Sequence, residues 1–215
     1  MTRPWSAPAT TPFRIVRIRN GHASMADDVV AGEEPLQIRA AGPGQEPVDV
    51  AVTLRTPGHE AELAVGFLHA EGLLRPGDVI GVHHGDVLAQ ARPDDVVTVE
   101  LAIPIDVRKV ASRRVAATAA CGVCGKASIN DVVVRCATLP TVPRIDWDWL
   151  AALPGYLRSR QKVFARTGGL HAAATAKVGA DDLDVIREDI GRHNAVDAVV
   201  GTHVLAGELP LSACD

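Results

Sequence analysis

No stretch of this 215-residue chain approaches the roughly 18 uninterrupted apolar residues of a membrane span, although 47% of its residues are apolar. A chain of that length and apolarity can bury a sizeable core, so one main domain with a small appendage is expected. Cysteine is scarce: Cys121, Cys124, Cys136 and Cys214 are the whole complement. Four are too few for a disulfide scaffold, and no signal-like apolar segment stands ahead of them, so the reducing cytoplasm is the expected compartment. Basic runs are missing too, and the formal net charge is −4. Neither nucleic acid nor membrane is an expected partner, while a local basic pocket stays open. No internal repeat is visible.

The first dozen residues, with Pro4, Pro8 and Pro12 among Ser, Ala and Thr, are expected to form a disordered lead. Phe13 to Arg19 reads as a strand with arginines on its polar face, and Pro35 to Arg39 as another. Glu33 and Glu34 should be extended, because the residue before proline is pushed out of the helical region. Val48, Val50, Val52 and Leu54 alternate with Asp49, Ala51, Thr53 and Arg55, the two-residue period of a half-buried strand. Thr56-Pro57 then looks like an N-cap with proline at the first helical position, and Leu63, Ala64, Phe67 and Leu68 mark one helical face that Gly72 ends. Val79–Val82, Val87–Leu88 and the alternating Val97, Val99, Leu101 and Ile103 read as strands, as does Val132–Leu139. Asp146 is a cap for a helix through Trp149, Leu150 and Leu153, which Pro154 breaks or restarts. Leu157, Gln161 and Phe164 carry a helical stripe on to Thr167-Gly168-Gly169. Leu170–Val178 and Leu183–Arg187 read as paired strands, and Asn194 as the cap of a last helix through Val196, Val199 and Val200. Strands and helices interleave, so the class is α/β or α+β, with a three-layer sandwich as the expected architecture.

Cys121-Gly122-Val123-Cys124-Gly125-Lys126 is the stretch richest in chemistry. A thiol attacks only as thiolate, and its ordinary pKa of about 8.5 falls beside a cation or a second thiol. Lys126 and Cys124 offer both. Gly122 and Gly125 let another backbone or a bulky ligand come close, and the small residues from Ala116 to Ala120 do not seal the thiols under a bulky core. A C-x-x-C pair still has several meanings: redox dithiol, half of a metal site, sulfur carrier, or a buried pair with no chemistry.

Three polar clusters sit at junctions between elements. In Thr167-Gly168-Gly169-Leu170-His171 the glycines could turn backbone N–H groups toward a phosphate while His171 adds a hydrogen bond or a proton; the alternative is a plain C-cap and turn. Glu188-Asp189-Ile190-Gly191-Arg192-His193-Asn194 leads into a helix whose N-terminus attracts anions, with Arg192 suited to bidentate phosphate contact; the alternative is a salt-bridged loop. Arg55-Thr56-Pro57-Gly58-His59-Glu60 is the third. Three such junctions together point to one anion-binding crevice. His69-Ala70-Glu71 ahead of Cys121-x-x-Cys124 superficially matches the H-x-E and P-C-x-x-C signature of zinc deaminases, but Ala120 stands where proline belongs. A structural zinc would need Cys136 and His171 or His193 as further ligands.

With these residues in view, the sequence resembles the FdhD family of formate dehydrogenase accessory sulfur carriers. The likeness is carried by Cys121 to Ile129, Thr167 to Ala174, Arg187 to Asp197, Glu33 to Leu36, and Arg55 to His59 through Glu71-Gly72, and it runs from about residue 15 to the end. It implies a sulfurtransferase that takes persulfide sulfur from a cysteine desulfurase of the IscS type. The sulfur passes to the molybdenum bis-guanine-dinucleotide cofactor, bound as acceptor before insertion into the formate dehydrogenase apoprotein. The persulfide-bearing residue falls on Cys121, with Cys124 second in the pair. Gly168, Gly169, His171, Arg192, His193 and Asn194 are the implied cofactor-binding residues, and no metal of the protein's own is implied. The implied fold is a cytidine-deaminase-like sandwich and the implied assembly a homodimer. On that basis residues 1–12 are the lead, 13–110 a smaller N-terminal β-rich part, and 111–215 the deaminase-like core carrying the C-x-x-C loop. The family's pattern continues beyond Leu209 to Asp215 with further strands, a helix and a nucleotide-contacting segment, so the core is expected to be truncated at its C-terminus.

Overall fold

Asn20 and Gly21, with φ of 49° and 79°, turn the chain back on itself. A two-residue Asn-Gly turn matches the right-handed twist of the strands it joins. Thr10–Arg19 (β1) and His22–Ala31 (β2) accordingly pair antiparallel, from Thr10↔Ala31 to Arg19↔His22. In this computed structural model residues 8–85, 95–108, 110, 144–209 and 211 are described. The lead expected through residue 12 is corrected at its end, because β1 already begins at Thr10. Pro12 is tolerated there because β1 is an edge strand of a two-stranded ribbon, and the N–H of Val29 opposite it goes to Asp28 Oδ1 at 2.8 Å instead of across the ladder.

Glu34–Ala41 (β3), Val48–Arg55 (β4), Val79–His84 (β5) and Val96–Leu101 (β6) form a four-stranded sheet in the order β4-β3-β6-β5, with β3 and β6 parallel and the other pairs antiparallel. Val96, Val97, Thr98 and Val99 are all buried, as expected of a central strand covered on both faces, and Ile103 falls beyond its end. Glu60–Ala70 (α1) lays Leu63, Ala64, Val65 and Leu68 on the face formed by Leu36, Ile38, Ala40, Val97 and Val99. The helix stops as the sequence suggests: Gly72 takes φ of 64°, its N–H reaches His69 O, and Leu73 N–H reaches Leu68 O, both at 2.9 Å. Its start differs from expectation. Thr56 lies before the helix, and His59 holds the N-cap position without a capping hydrogen bond from its side chain.

Trp147–Arg160 (α2) is capped by Asp146, whose Oδ1 accepts from Trp149 N at 2.9 Å. Pro154 sits inside it; α2 has no buried residue, so water can reach the carbonyl that proline cannot serve. The break comes instead at Gln161, after which Lys162–Thr167 (α3) ends in left-handed Gly168. His171–Ala174 (β7) and Ile186–Asp189 (β8) pair antiparallel, from His171↔Asp189 to Ala174↔Ile186. Arg192–Ala206 (α4) then crosses α1 at Gly66 and Gly201. A Cβ on Gly66 would fall on the carbonyl of Asp197, and one on Gly201 on the carbonyl of Glu62, so the two helices meet backbone to backbone. Ala198 and Val204 of α4 join the same buried cluster as the four-stranded sheet, giving a mixed α/β fold whose core draws on both ends of the chain. The C-x-x-C loop, Val87–Leu88, Val132–Leu139, Cys136 and Cys214 lie outside the described residues.

Candidate functional site

Antiparallel pairing puts the entry to β7 and the exit from β8 at one end of their sheet. The Thr167–Leu170 loop and the N-terminus of α4 are therefore neighbours, with His171 opposite Asp189. The end of β4 is tied to the same place. Asp189 Oδ2 accepts from Thr56 N at 2.9 Å, Ile190 N donates to Thr56 Oγ1 at 3.1 Å, and Asn194 Nδ2 donates to Leu54 O at 2.7 Å. All three clusters anticipated in the sequence converge.

Within that convergence, the polar groups divide into those that build the site and those that face outward. Arg55 is 1% exposed and ion-paired to Glu60 at 3.2 Å and Asp95 at 3.3 Å, so it stiffens the turn rather than meeting a ligand. Asp189 is buried; its Oδ1 accepts from Gly191 N at 2.7 Å and from Asn194 Nδ2 at 3.0 Å. Burial pushes the Asp189 carboxyl up, against the opposing pull of these hydrogen bonds and of Arg55. Glu62 shows the opposite balance. Burial would raise it, but the hydrogen bond from His59 and the charge of Arg187, at 3.3 and 3.4 Å, leave it lowered.

Two expectations for named residues need correction. Asn194 does not cap α4: Gly191 holds the N-cap position, and the Asn194 side chain bridges β4 and Asp189 instead. The glycines do not present free N–H groups either. Gly168 N closes α3 on Phe164 O at 2.7 Å, and Gly169 N donates to Thr167 Oγ1 at 3.3 Å. What faces outward is a different set. Arg192 and His193, at the first two positions of α4, are exposed, as are Gly168, Gly169 and His171. Arg192, His193 and His171 have no ion pair or hydrogen-bonded side-chain partner among the described residues. The N-cap residue of α4, Gly191, has no side chain, and among the described residues no side chain caps the first N–H groups of this 15-residue helix. An uncapped N-terminus flanked by a guanidinium and two imidazoles suits an anion, above all a phosphate or diphosphate.

Residues that sequence reasoning did not single out complete the frame: Thr53, whose Oγ1 lies 3.4 Å from Asn194 Oδ1, and Glu62 with its link to Arg187. The sequence held a signal for the His59–Glu62 pair, three positions apart, but none for Arg187, which stands 125 residues from Glu62. Cys121 and Cys124 lie outside the described residues. Among the described residues no three His, Cys, Asp or Glu side chains gather as a metal site, and His69 falls in the last turn of α1. No helix among the described residues is long and apolar enough to cross a membrane.

Comparison with known proteins gives the following. The family model described as FdhD/NarQ matches residues 31–213. The chain is 42% identical over 206 residues to the sulfur carrier protein FdhD of Streptomyces avermitilis, covering 93% of this chain and 71% of that protein. It is 41% identical over 215 residues to that of Mycobacterium tuberculosis, covering 95% and 75%, and 36% identical over 200 residues to that of Sulfurisphaera tokodaii, covering 93% and 72%. In fold it is similar to the crystal structure of a protein from Desulfotalea psychrophila provisionally assigned as a formate dehydrogenase accessory protein. The TM-score is 0.56 and the identity 20%, over 93% of this chain and 69% of the other.

Proposed function

Because this chain belongs to the FdhD/NarQ family, we propose that it is a sulfur carrier in formate dehydrogenase maturation, with Cys121 as the residue that carries the sulfur. The observation that supports this reading most is the span of the family match, residues 31–213, which contains Cys121, Cys124 and every outward-facing residue of the site. The Cys121 thiolate attacks the terminal sulfur of a persulfide on a cysteine desulfurase. A new S–S bond forms, the donor's S–S bond breaks, and the donor cysteine leaves as thiolate, with no net oxidation. Attack by Cys124 on that outer sulfur moves it between the two thiols and keeps it mobile. The acceptor substrate is the molybdenum bis-guanine-dinucleotide cofactor. Its phosphates fit the uncapped start of α4, with Arg192 as bidentate partner and His171 or His193 orienting a phosphate or supplying a proton. Gly168 and Gly169 serve by leaving room for a close approach rather than by donating N–H groups. In this reading the fold is deaminase-like, the carrier works as a homodimer in the cytoplasm, and the apo-dehydrogenase receives the sulfurated cofactor.

The test is mass spectrometry after incubation with a cysteine desulfurase and cysteine. The Cys121 peptide gains the mass of one sulfur, and the gain is reversed by a reducing thiol. Cys121→Ala abolishes the gain and the transfer while leaving nucleotide binding in place. A chain that matures the dehydrogenase without ever carrying the extra sulfur is a binding-only chaperone, and the proposal then fails.

A further inference from the structure

Glu188 and Asp189 are adjacent on β8, and their side chains serve different loops, since successive strand residues point to opposite faces. Asp189 holds Thr56, Gly191 and Asn194. Glu188 reaches the other way: its Oε1 accepts from Phe164 N at 2.8 Å and its Oε2 from Val163 N at 2.9 Å. Those are N–H groups of the first turn of α3, which has no cap of its own from Gln161. A carboxylate bonded to two such N–H groups satisfies orphan donors and complements the positive end of the helix.

The consequence is mechanical. α3 is only Lys162–Thr167, and its other end is the left-handed Gly168 that begins the Gly168–Leu170 loop. A six-residue helix has little stability of its own, so its position is set by β2, on which it packs, and by what holds its ends. Glu188 holds one end to β8, the strand that leads directly into Arg192 and His193. We propose that Glu188 is a positioning residue: by clamping α3 it fixes the Gly168–Gly169 loop against the start of α4, and so sets the width of the phosphate-binding mouth. Resting on the nucleotide reading above, this gives Glu188 a role in the frame of the site rather than in contact with ligand.

The experiment uses GDP as the probe on the full chain. Glu188→Ala weakens GDP binding tenfold or more, and Glu188→Gln, which keeps one acceptor oxygen, weakens it less. Asp146→Ala, which removes an N-cap from α2 away from the loop, supplies a destabilised control that binds GDP as the wild type does. Hydrogen exchange is read in parallel: Glu188→Ala speeds exchange over residues 162–171 and leaves residues 195–206 unchanged. Equal GDP binding by Glu188→Ala and wild type overturns the proposal, as does an equal loss in Asp146→Ala. If the wild type binds no GDP, the nucleotide reading falls while the exchange experiment still decides the clamp; unchanged exchange over 162–171 overturns it.

Discussion

The Thr56 N–H donates to Asp189 Oδ2 at 2.9 Å across 133 residues of chain, in a buried setting. This contact, with the Asp189 bonds to Gly191 and Asn194, joins the end of β4 to the start of α4. Asp189→Asn keeps the shape but turns an NH2 toward N–H groups that now have no acceptor. The expected cost is about 2 kcal/mol of unfolding free energy, the range for a buried donor left unsatisfied. Urea denaturation at neutral pH measures it, and an unchanged midpoint would mean that the three bonds hold nothing together.

The crossing of α1 and α4 depends on the absence of two side chains. Gly201→Ala places a methyl on the carbonyl of Glu62, with rigid backbone on both sides, and is expected to cost about 3 kcal/mol or more. Gly155→Ala makes the contrast. It lies in exposed α2, nothing stands within 4 Å of the added carbon, and the same change is expected to stabilise by up to about 1 kcal/mol through helix propensity. Thermal unfolding of the two variants side by side checks the pair; similar shifts in both would contradict the close crossing.

The sequence was most legible where a local pattern and the tertiary contact agree. The alternation in β4, the Asp146 cap, the stop at Gly72 and the pairing of β7 with β8 are all of this kind. β2 has no local signal beyond the Asn20-Gly21 hairpin turn, because His22 to Ala31 carries mostly small and polar residues and stays exposed in a two-stranded ribbon. Thr56 and Asn194 defeat a local reading for another reason. Both are residues that cap helices locally, and both are claimed instead by distant partners, Asp189 and Leu54, that no local window contains. Convergence of the three polar junctions was foreseeable, whereas the division into frame and outward-facing groups was not. It depends on which carboxylate reaches which N–H, and Arg55, the most charged-looking ligand of its cluster, is the most deeply enclosed.

Arg192 is expected to act on the ligand and not on the fold. Exposed at the first position of α4 and without a described partner, it should change stability on truncation by no more than about 0.5 kcal/mol. Arg192→Ala should nevertheless weaken GDP binding by about tenfold, with Arg192→Lys recovering part of it as a point charge without the fork. Titration at low and high salt checks the origin, because an exposed charge contact weakens as screening rises. A loss of binding that ignores salt, or one accompanied by a large fall in melting temperature, would place Arg192 in the frame instead.

Asp197, on α4 near the crossing with α1, gives the molecule a pH dependence of definite sign. Burial, with the charge of Glu71 adding to it, pushes its carboxyl up from 3.8 to about 7. The folded chain thus keeps a proton there that the unfolded chain releases. Its contribution to stability is complete below about pH 4 and is lost as pH rises toward 7. Asp189 shifts in the same direction, so the two carboxyls act together. Asp197→Asn removes the titration while keeping the size. The variant should match the wild type near pH 4 and exceed it progressively above, by about 2 kcal/mol at pH 8, a figure kept below the full worth of the shift because the side chain is not wholly enclosed. Unfolding midpoints of both proteins across that range decide the matter. Parallel curves would show that the carboxyl is already ionised in the fold and that the helix crossing carries its charge without cost.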